Sequence, residues 1–168
     1  MIYYAGIGSR ETPKEMLEHF EYIASALANK GFTLRSGGAK GADSAFENGC
    51  DKVKGLKEIF LPWRGFENSN SQLYNISDEA MKIAATYHPY WYNLSQGAQK
   101  LQARNSYQVL GYDLKAPSDF IVCWTKGGKG SGGTGQAIRI AKANNIPVFD
   151  FGAEGTSKRL QEFIDNIK

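Results

Sequence analysis

The residues of this 168-residue chain that could do chemistry are gathered in three glycine-rich stretches. "GIGSRE" (6–11) offers Gly6, Gly8, Ser9 and Arg10, and "SGGAKGAD" (36–43) offers Ser36, Gly37, Gly38, Ala39, Lys40, Gly41 and Asp43. "GGKGSGGTGQAIRIA" (127–141) adds Lys129, Gly132, Gly133, Thr134 and Gly135. Glycine admits positive φ and lets backbone amides approach a ligand, and a helix start that follows it attracts an anion. One such loop would signify only a tight strand-to-helix turn. Three of them, with Arg10, Lys40, Lys126 and Lys129 interspersed, point to a phosphate cradle, with turn chemistry as the structural alternative.

Other candidates are more ambiguous. Asp43 and Glu47 are the candidate catalytic carboxylates, although Asp43 could equally cap a helix or hold loop amides and Glu47 could be an ordinary exposed helix residue. Arg104, Asn105 and Gln108 fall on one helix and could contact phosphate or ribose, or instead form ion pairs and tie loops together. In "TYHPYWYN" (86–93), Tyr90 and Trp91 are base-stacking candidates, as is Trp63; such aromatics also form satellite cores and oligomer contacts. The pattern G-x-G-x-x-G occurs at Gly128, Gly130 and Gly133 with Asp150 ending the next strand, as in dinucleotide-binding folds. Against that reading, the loop is long and only one short helix remains after Asp150 to build a second nucleotide half. No P-loop pattern occurs. Cys50 and Cys123 have no metal-like spacing, so neither a metal site nor a bound cofactor is expected.

These residues need a scaffold that brings loops to one edge, and the patterning supplies it. Short apolar runs at 2–6, 32–36, 57–62, 119–125 and 146–151 read as five strands. Helical patterns lie between and after them, at 12–31, 42–49, 77–86, 98–111, 134–144 and 157–167. In the first helix Thr12 and Glu15 form a capping-box pattern, Pro13 suits the first helical position, Gly31 suits the exit, and Met16, Leu17, Phe20, Ile23, Ala24 and Leu27 share one face. Strand and helix alternating in this way predict an α/β, Rossmann-like, doubly wound fold with a mostly parallel five-stranded sheet. Length and a 42% hydrophobic content suit a single domain over 1–168, with an irregular insertion around 63–96. No run is apolar and long enough for a membrane span, and the expected location is cytoplasmic.

Together, "GIGSRETP" (6–13), "SGGAKGADSAFENG" (36–49), "ARNSYQVLG" (103–111) and "GGTGQAIRIAKANNIPVFD" (132–150) resemble the SLOG superfamily. This is the Rossmann-like family of DNA-processing protein A and the LONELY GUY phosphoribohydrolases. The 36–43 loop and the Arg104-Asn105 pair resemble the DNA-processing branch, and the 132–135 loop resembles the P-G-G-x-G-T loop of the phosphoribohydrolases. The resemblance implies a nucleotide-derived ligand, of the kind that phage and bacterial defence members sense, and two-fold assembly. It also exposes a departure: acidic residues follow the phosphoribohydrolase loop, whereas Gln136 and Arg139 stand in this one. Neither activates water or steadies an oxocarbenium-like centre well.

Three function classes follow. The first is a protein that binds a phosphate- and ribose-containing small molecule, a signalling nucleotide or ADP-ribose derivative, to sense or sequester it. The second is an N-glycosidic hydrolase of nucleoside 5'-monophosphates, which requires a carboxylate in the pocket. The third is a single-stranded DNA-binding mediator, which requires a basic stripe. Twenty Lys plus Arg against 17 Asp plus Glu, with no dense basic run, place that reading last.

Overall fold

The computed structural model of the chain describes residues 1–167. Five short strands, β1 (Tyr3–Gly6), β2 (Thr33–Ser36), β3 (Lys57–Ile59), β4 (Phe120–Cys123) and β5 (Val148–Asp150), form one sheet in the order β3-β2-β1-β4-β5. Every pairing is parallel, where the sequence predicts only a mostly parallel sheet. β2 and β4 are buried along their whole length; β4, Phe-Ile-Val-Cys, accordingly reads as a continuous apolar run, whereas β2 buries Thr33, Arg35 and Ser36 with Leu34.

Successive side chains of a strand point to opposite faces, and each face has its own core. On one, Tyr4, Leu34, Phe120 and Val122 meet α1 (Lys14–Asn29), α2 (Ala42–Lys52) and α6 (Thr156–Asn166) through Phe20, Leu27, Phe46 and Leu160. On the other, Ala5, Ile121 and Cys123 meet α4 (Gln96–Leu110) and α5 (Gly132–Ala143) through Val109, Leu110, Ala137 and Ile140. α3 (Asp78–Tyr87) packs beside α4, where Phe60, Ala80, Ala84, Trp91, Ala103 and Tyr107 make a third cluster. The chain leaves β1 toward β2 on one side and reaches β4 on the other. That reversal of strand order opens a crevice at the carboxyl ends of the strands. No helix among the described residues is long and apolar enough to cross a membrane.

Several boundaries differ from the sequence expectation. The capping box does not form: the Thr12 hydroxyl turns back to donate to the Ser9 carbonyl at 2.5 Å, leaving Pro13 as the residue flanking α1. β3 ends at Ile59, and Phe60 instead makes a parallel bridge to Leu73 of the irregular segment. α5 starts at Gly132, two residues before the expected Thr134, so the glycines themselves are its first turn.

The α1–α2 contact depends on Gly49. An added Cβ there would overlap the Glu21 carbonyl oxygen and lie 2.9 Å from the Ala24 methyl, and the Ser25 hydroxyl donates to the Gly49 carbonyl at 2.6 Å. Gly49→Ala is expected to lose about 1–3 kcal/mol through overpacking, despite alanine's better helix propensity. Thermal melting checks this against Asn48→Ala on the exposed side of the same helix, which should melt close to the parent.

Candidate functional site

The loops leaving β1, β2 and β4, together with one face of α4, enclose a cleft of about 540 Å³. Ile7, Gly8, Ser9, Arg10 and Glu11 come from the first loop, and Ala39 and Asp43 from the second loop and the first turn of α2. Gly132, Gly133, Thr134 and Ala137 come from α5; Leu101, Asn105 and Gln108 from α4; and Phe66 closes one side.

Two helices begin at this cleft, and they differ. α2 carries an acid in its first turn: Asp43 is 4% exposed, and its Oδ2 accepts from the Ala39 amide at 3.3 Å. α5 has no acidic residue in its first turn and no side-chain cap, so its leading amides are left for an acceptor from outside. Burial pushes the Asp43 carboxyl up to about 6, opposed by the Arg104 charge and the amides of Ala39 and Gly37 and assisted by Glu47.

Arg104 holds the floor rather than facing solvent. It is buried, its Nε donates to Asn105 Oδ1 at 3.0 Å, and its Nη1 donates to the carbonyls of Gly37 and Phe60. Its guanidinium also lies 5.7 Å from the Phe66 ring centre. The loop after β2, the end of β3 and the wall residue Phe66 are thereby tied to one side chain. Burial lowers its pKa while the Asp43 charge raises it. Gly37 can have no side chain, because the Gln108 amide and the Arg104 guanidinium occupy the space of a Cβ. Asn105 Nδ2 donates to the Gly133 carbonyl at 3.3 Å, which ties α4 to the first turn of α5.

Apart from Arg10, which is in the lining, the other sequence candidates lie around this cleft. Gly6 packs on Phe46, and the Ser36 hydroxyl donates to the Gly6 carbonyl at 2.6 Å. Gly38 packs on Leu61, Gly41 on the Arg10 backbone, and Gly135 on the Gly130 carbonyl. Lys129 is exposed on the loop after β4. Lys40 and Arg10 both face Glu67, at 3.7 and 4.0 Å. Glu47 accepts from Lys57 Nζ at 2.8 Å outside the cleft, which removes it from the candidate catalytic groups.

Three expectations are corrected by packing. Trp91 is buried in the third cluster with its ring against His88, so it has no free face for a base; Tyr90 is exposed but on a separate surface hollow. Trp63 is half-exposed and packs edge-on to Phe66 at 5.4 Å, outside the lining. Asp150 is not a ribose acid: its carboxylate accepts from the Thr125 amide and hydroxyl and from the Gly152 amide. Thr125 Oγ1 in turn accepts from the Gly130 amide at 2.9 Å, so this relay shapes the glycine loop. The dinucleotide reading of that loop loses its acid.

Gln136 and Arg139 also have structural work. The Gln136 amide donates to the Ala84 carbonyl at 2.9 Å, and Arg139 donates to the Tyr87 carbonyl at 2.7 Å and to Gln136 Oε1 at 2.9 Å. They tie α5 to α3. Sequence reasoning missed Glu11, Phe66, Leu101, Ile7 and Ala137. Glu11 adjoins Arg10 in the first glycine stretch and could have been included; the four apolar residues carry no signal apart from core periodicity.

No family model and no curated protein matches the sequence. Solved structures do. The chain is similar to the molybdenum cofactor carrier protein of Chlamydomonas reinhardtii, with a TM-score of 0.60 and 15% identity over 98% of this chain and 84% of that one. It is similar to DNA processing protein A of Helicobacter pylori, with a TM-score of 0.59 and 19% identity over 96% and 72%. It is also similar to TM1055, a structural-genomics target, with a TM-score of 0.55 and 19% identity over 96% and 81%. Identities this low speak to fold alone. The parallel five-stranded sheet with helices on both faces is a Rossmann-like α/β fold, and the likeness to these structures extends over nearly the whole of this chain.

Proposed function

We propose that the protein binds a nucleotide-derived small molecule in this cleft, holding it to sense or sequester it. One observation carries the reading: the uncapped, acid-free first turn of α5 opens into a cleft that also contains the buried polar side chains of Asp43, Gln108 and Thr134. The free amides of Gly132, Gly133 and Thr134 suit an anion. Arg10 at the rim adds charge, and the buried side chains suit the neutral part of the same molecule. A volume of about 540 Å³ is in the range of small-molecule sites. Among the similar structures is a molybdenum cofactor carrier protein, which accords with holding rather than converting a ligand.

A second reading, N-glycosidic hydrolysis, is favoured by Asp43, a carboxyl in the cleft pushed up to about 6 and therefore able to exchange a proton near neutrality. The DNA-binding reading has less support, because the cleft-side cations Arg10 and Lys40 are both opposed by Glu67 and make no continuous basic stripe.

The test is to incubate the purified protein with nucleoside monophosphates, ADP-ribose derivatives and cyclic nucleotides, and to analyse the bound and free fractions by mass spectrometry. The expected result is an intact ligand in the bound fraction. Release of free base would replace binding by hydrolysis, and retention of none of the panel would overturn the nucleotide reading.

A further inference from the structure

The segment after β3 runs between two hollows. Phe66 lines the cleft on one side, whereas Glu67, Asn68, Ser69 and Asn70 line a second hollow of about 580 Å³ on the other. Within this segment Gly65, Glu67 and Asn68 have φ of 76°, 51° and 61°, in the left-handed region. Glycine takes that conformation freely and asparagine tolerates it, but glutamate has neither advantage, so its backbone is strained there. Strain of this kind persists only where the surroundings hold it.

What holds Glu67 is charge. Its Oε1 lies 4.0 Å from Arg10 Nη2 on the loop after β1, and its Oε2 lies 3.7 Å from Lys40 Nζ on the loop after β2. The backbone bonds of the turn are internal to it: the Asn68 amide donates to the Gly65 carbonyl and the Ser69 amide to the Phe66 carbonyl, both at 3.0 Å. The Arg10 and Lys40 side chains are 64% and 79% exposed, so both pairs are weak and screened by salt. A strained backbone opposed by weak ion pairs, with open space on either side, is balanced between two states. The same turn carries Phe66, whose ring is buried 5.7 Å from the Arg104 guanidinium and edge-on to Trp63.

We infer that residues 65–69 form a strap that Glu67 latches onto Arg10 and Lys40, and that an anion reaching these two cations releases it. The anion displaces the Glu67 carboxylate, the Glu67 backbone leaves the left-handed region, and the bonds from the Asn68 and Ser69 amides open. Because Phe66 belongs to the strap, release also alters the cleft wall and the contact with the half-exposed Trp63, so that arrival of a ligand becomes a change at the surface. The latch is a property of the ligand-free chain; its trigger rests on the proposed binding of an anionic ligand and supplies a means of sensing it.

The experiment is hydrogen exchange of the full chain, read by mass spectrometry on peptides spanning 63–70, first without any ligand. Glu67→Gln removes the charge and keeps the strain, so the Asn68 and Ser69 amides should exchange about 3- to 10-fold faster, the scale of two exposed ion pairs. Glu67→Gly removes the strain too and should exchange more slowly than Glu67→Gln. Raising salt to about 0.5 M should speed exchange in the parent and leave Glu67→Gln unchanged. Pyrophosphate at constant ionic strength should act as salt does, on the parent alone. Exchange in Glu67→Gln equal to that of the parent would overturn the latch, as would an equal response of both to salt. A parent that does not respond to pyrophosphate would overturn release by an anion. Each of these failures leaves nucleotide binding to be decided by the ligand panel, and failure of that panel leaves the ion-paired latch standing.

Discussion

Replacing Arg104 by alanine is expected to cost about 2–4 kcal/mol of stability, the scale of removing a buried charged donor and leaving its buried acceptors unpaired. The substitution leaves the Gly37 and Phe60 carbonyls without their donor, and it leaves the Asp43 carboxylate in its buried site without the facing cation. The pH dependence separates this account from a simple loss of packing. Asp43 has a folded-state pKa of about 6, above its ordinary 3.8, so protonation favours the folded chain. The stability that its neutral form contributes is fully present below the ordinary value and is lost as pH rises through 6. Without Arg104 the carboxyl rises further, opposed only by the loop amides and still assisted by Glu47. The deficit of Arg104→Ala relative to the parent should therefore shrink between about pH 7.5 and about pH 5. Denaturant titrations at both values check this; an unchanged deficit would mean that Asp43 does not depend on Arg104. Arg104→Lys should recover part of the charge effect but not the second, Nε donor that holds Asn105 while Nη1 holds the two carbonyls.

Replacing Gly133 by valine is expected to abolish ligand binding while leaving the fold intact. Gly133 is exposed, its φ is not in the left-handed region, and an added Cβ meets nothing nearer than the Gln102 amide at 3.8 Å. The branched side chain nevertheless stands at the first turn of α5, where an anion has to approach the amides. A loss of at least about 100-fold, roughly 3 kcal/mol, is the expected size. Gly135→Ala is the companion: its Cβ would overlap the Gly130 carbonyl oxygen, so it should lose stability and binding together. Melting and calorimetry on both variants distinguish the two modes. Unaltered binding by Gly133→Val would remove the anion from the α5 terminus.

The doubly wound architecture could be read from the chain because its strands and helices are marked by local pattern. The buried run of β4 and the 3.6-residue stripe of Phe20, Ile23, Ala24 and Leu27 on α1 are properties of neighbouring residues, and the structure keeps both. The glycine stretches likewise announced loops at the carboxyl ends of the strands. Where local chemistry offered alternatives, the sequence could not choose between them. Thr12 could cap α1 or bond back to Ser9, and Asp150 could hold a ribose or shape a loop. Trp91 could stack on a base or fill a core. Thr12 chose a neighbour three residues back, whereas Asp150 was committed by Thr125, 25 residues away, and Trp91 by the cluster of Phe60 and Tyr107.

The division within the site has the same cause. Sequence by itself determined that glycine loops and polar residues of α4 would meet at one edge of a parallel sheet, since alternation of strand and helix requires it. Only the tertiary structure decided which of them face the cleft. Arg104 is drawn inward because the carbonyls of Gly37 and Phe60, 67 and 44 residues away, need a donor there. Asp43 takes the amide of its own loop, and the free amides are thereby confined to α5. Buried polar groups must find partners wherever the fold places them, and those partners are set by packing across the sheet, which no local stretch of sequence records.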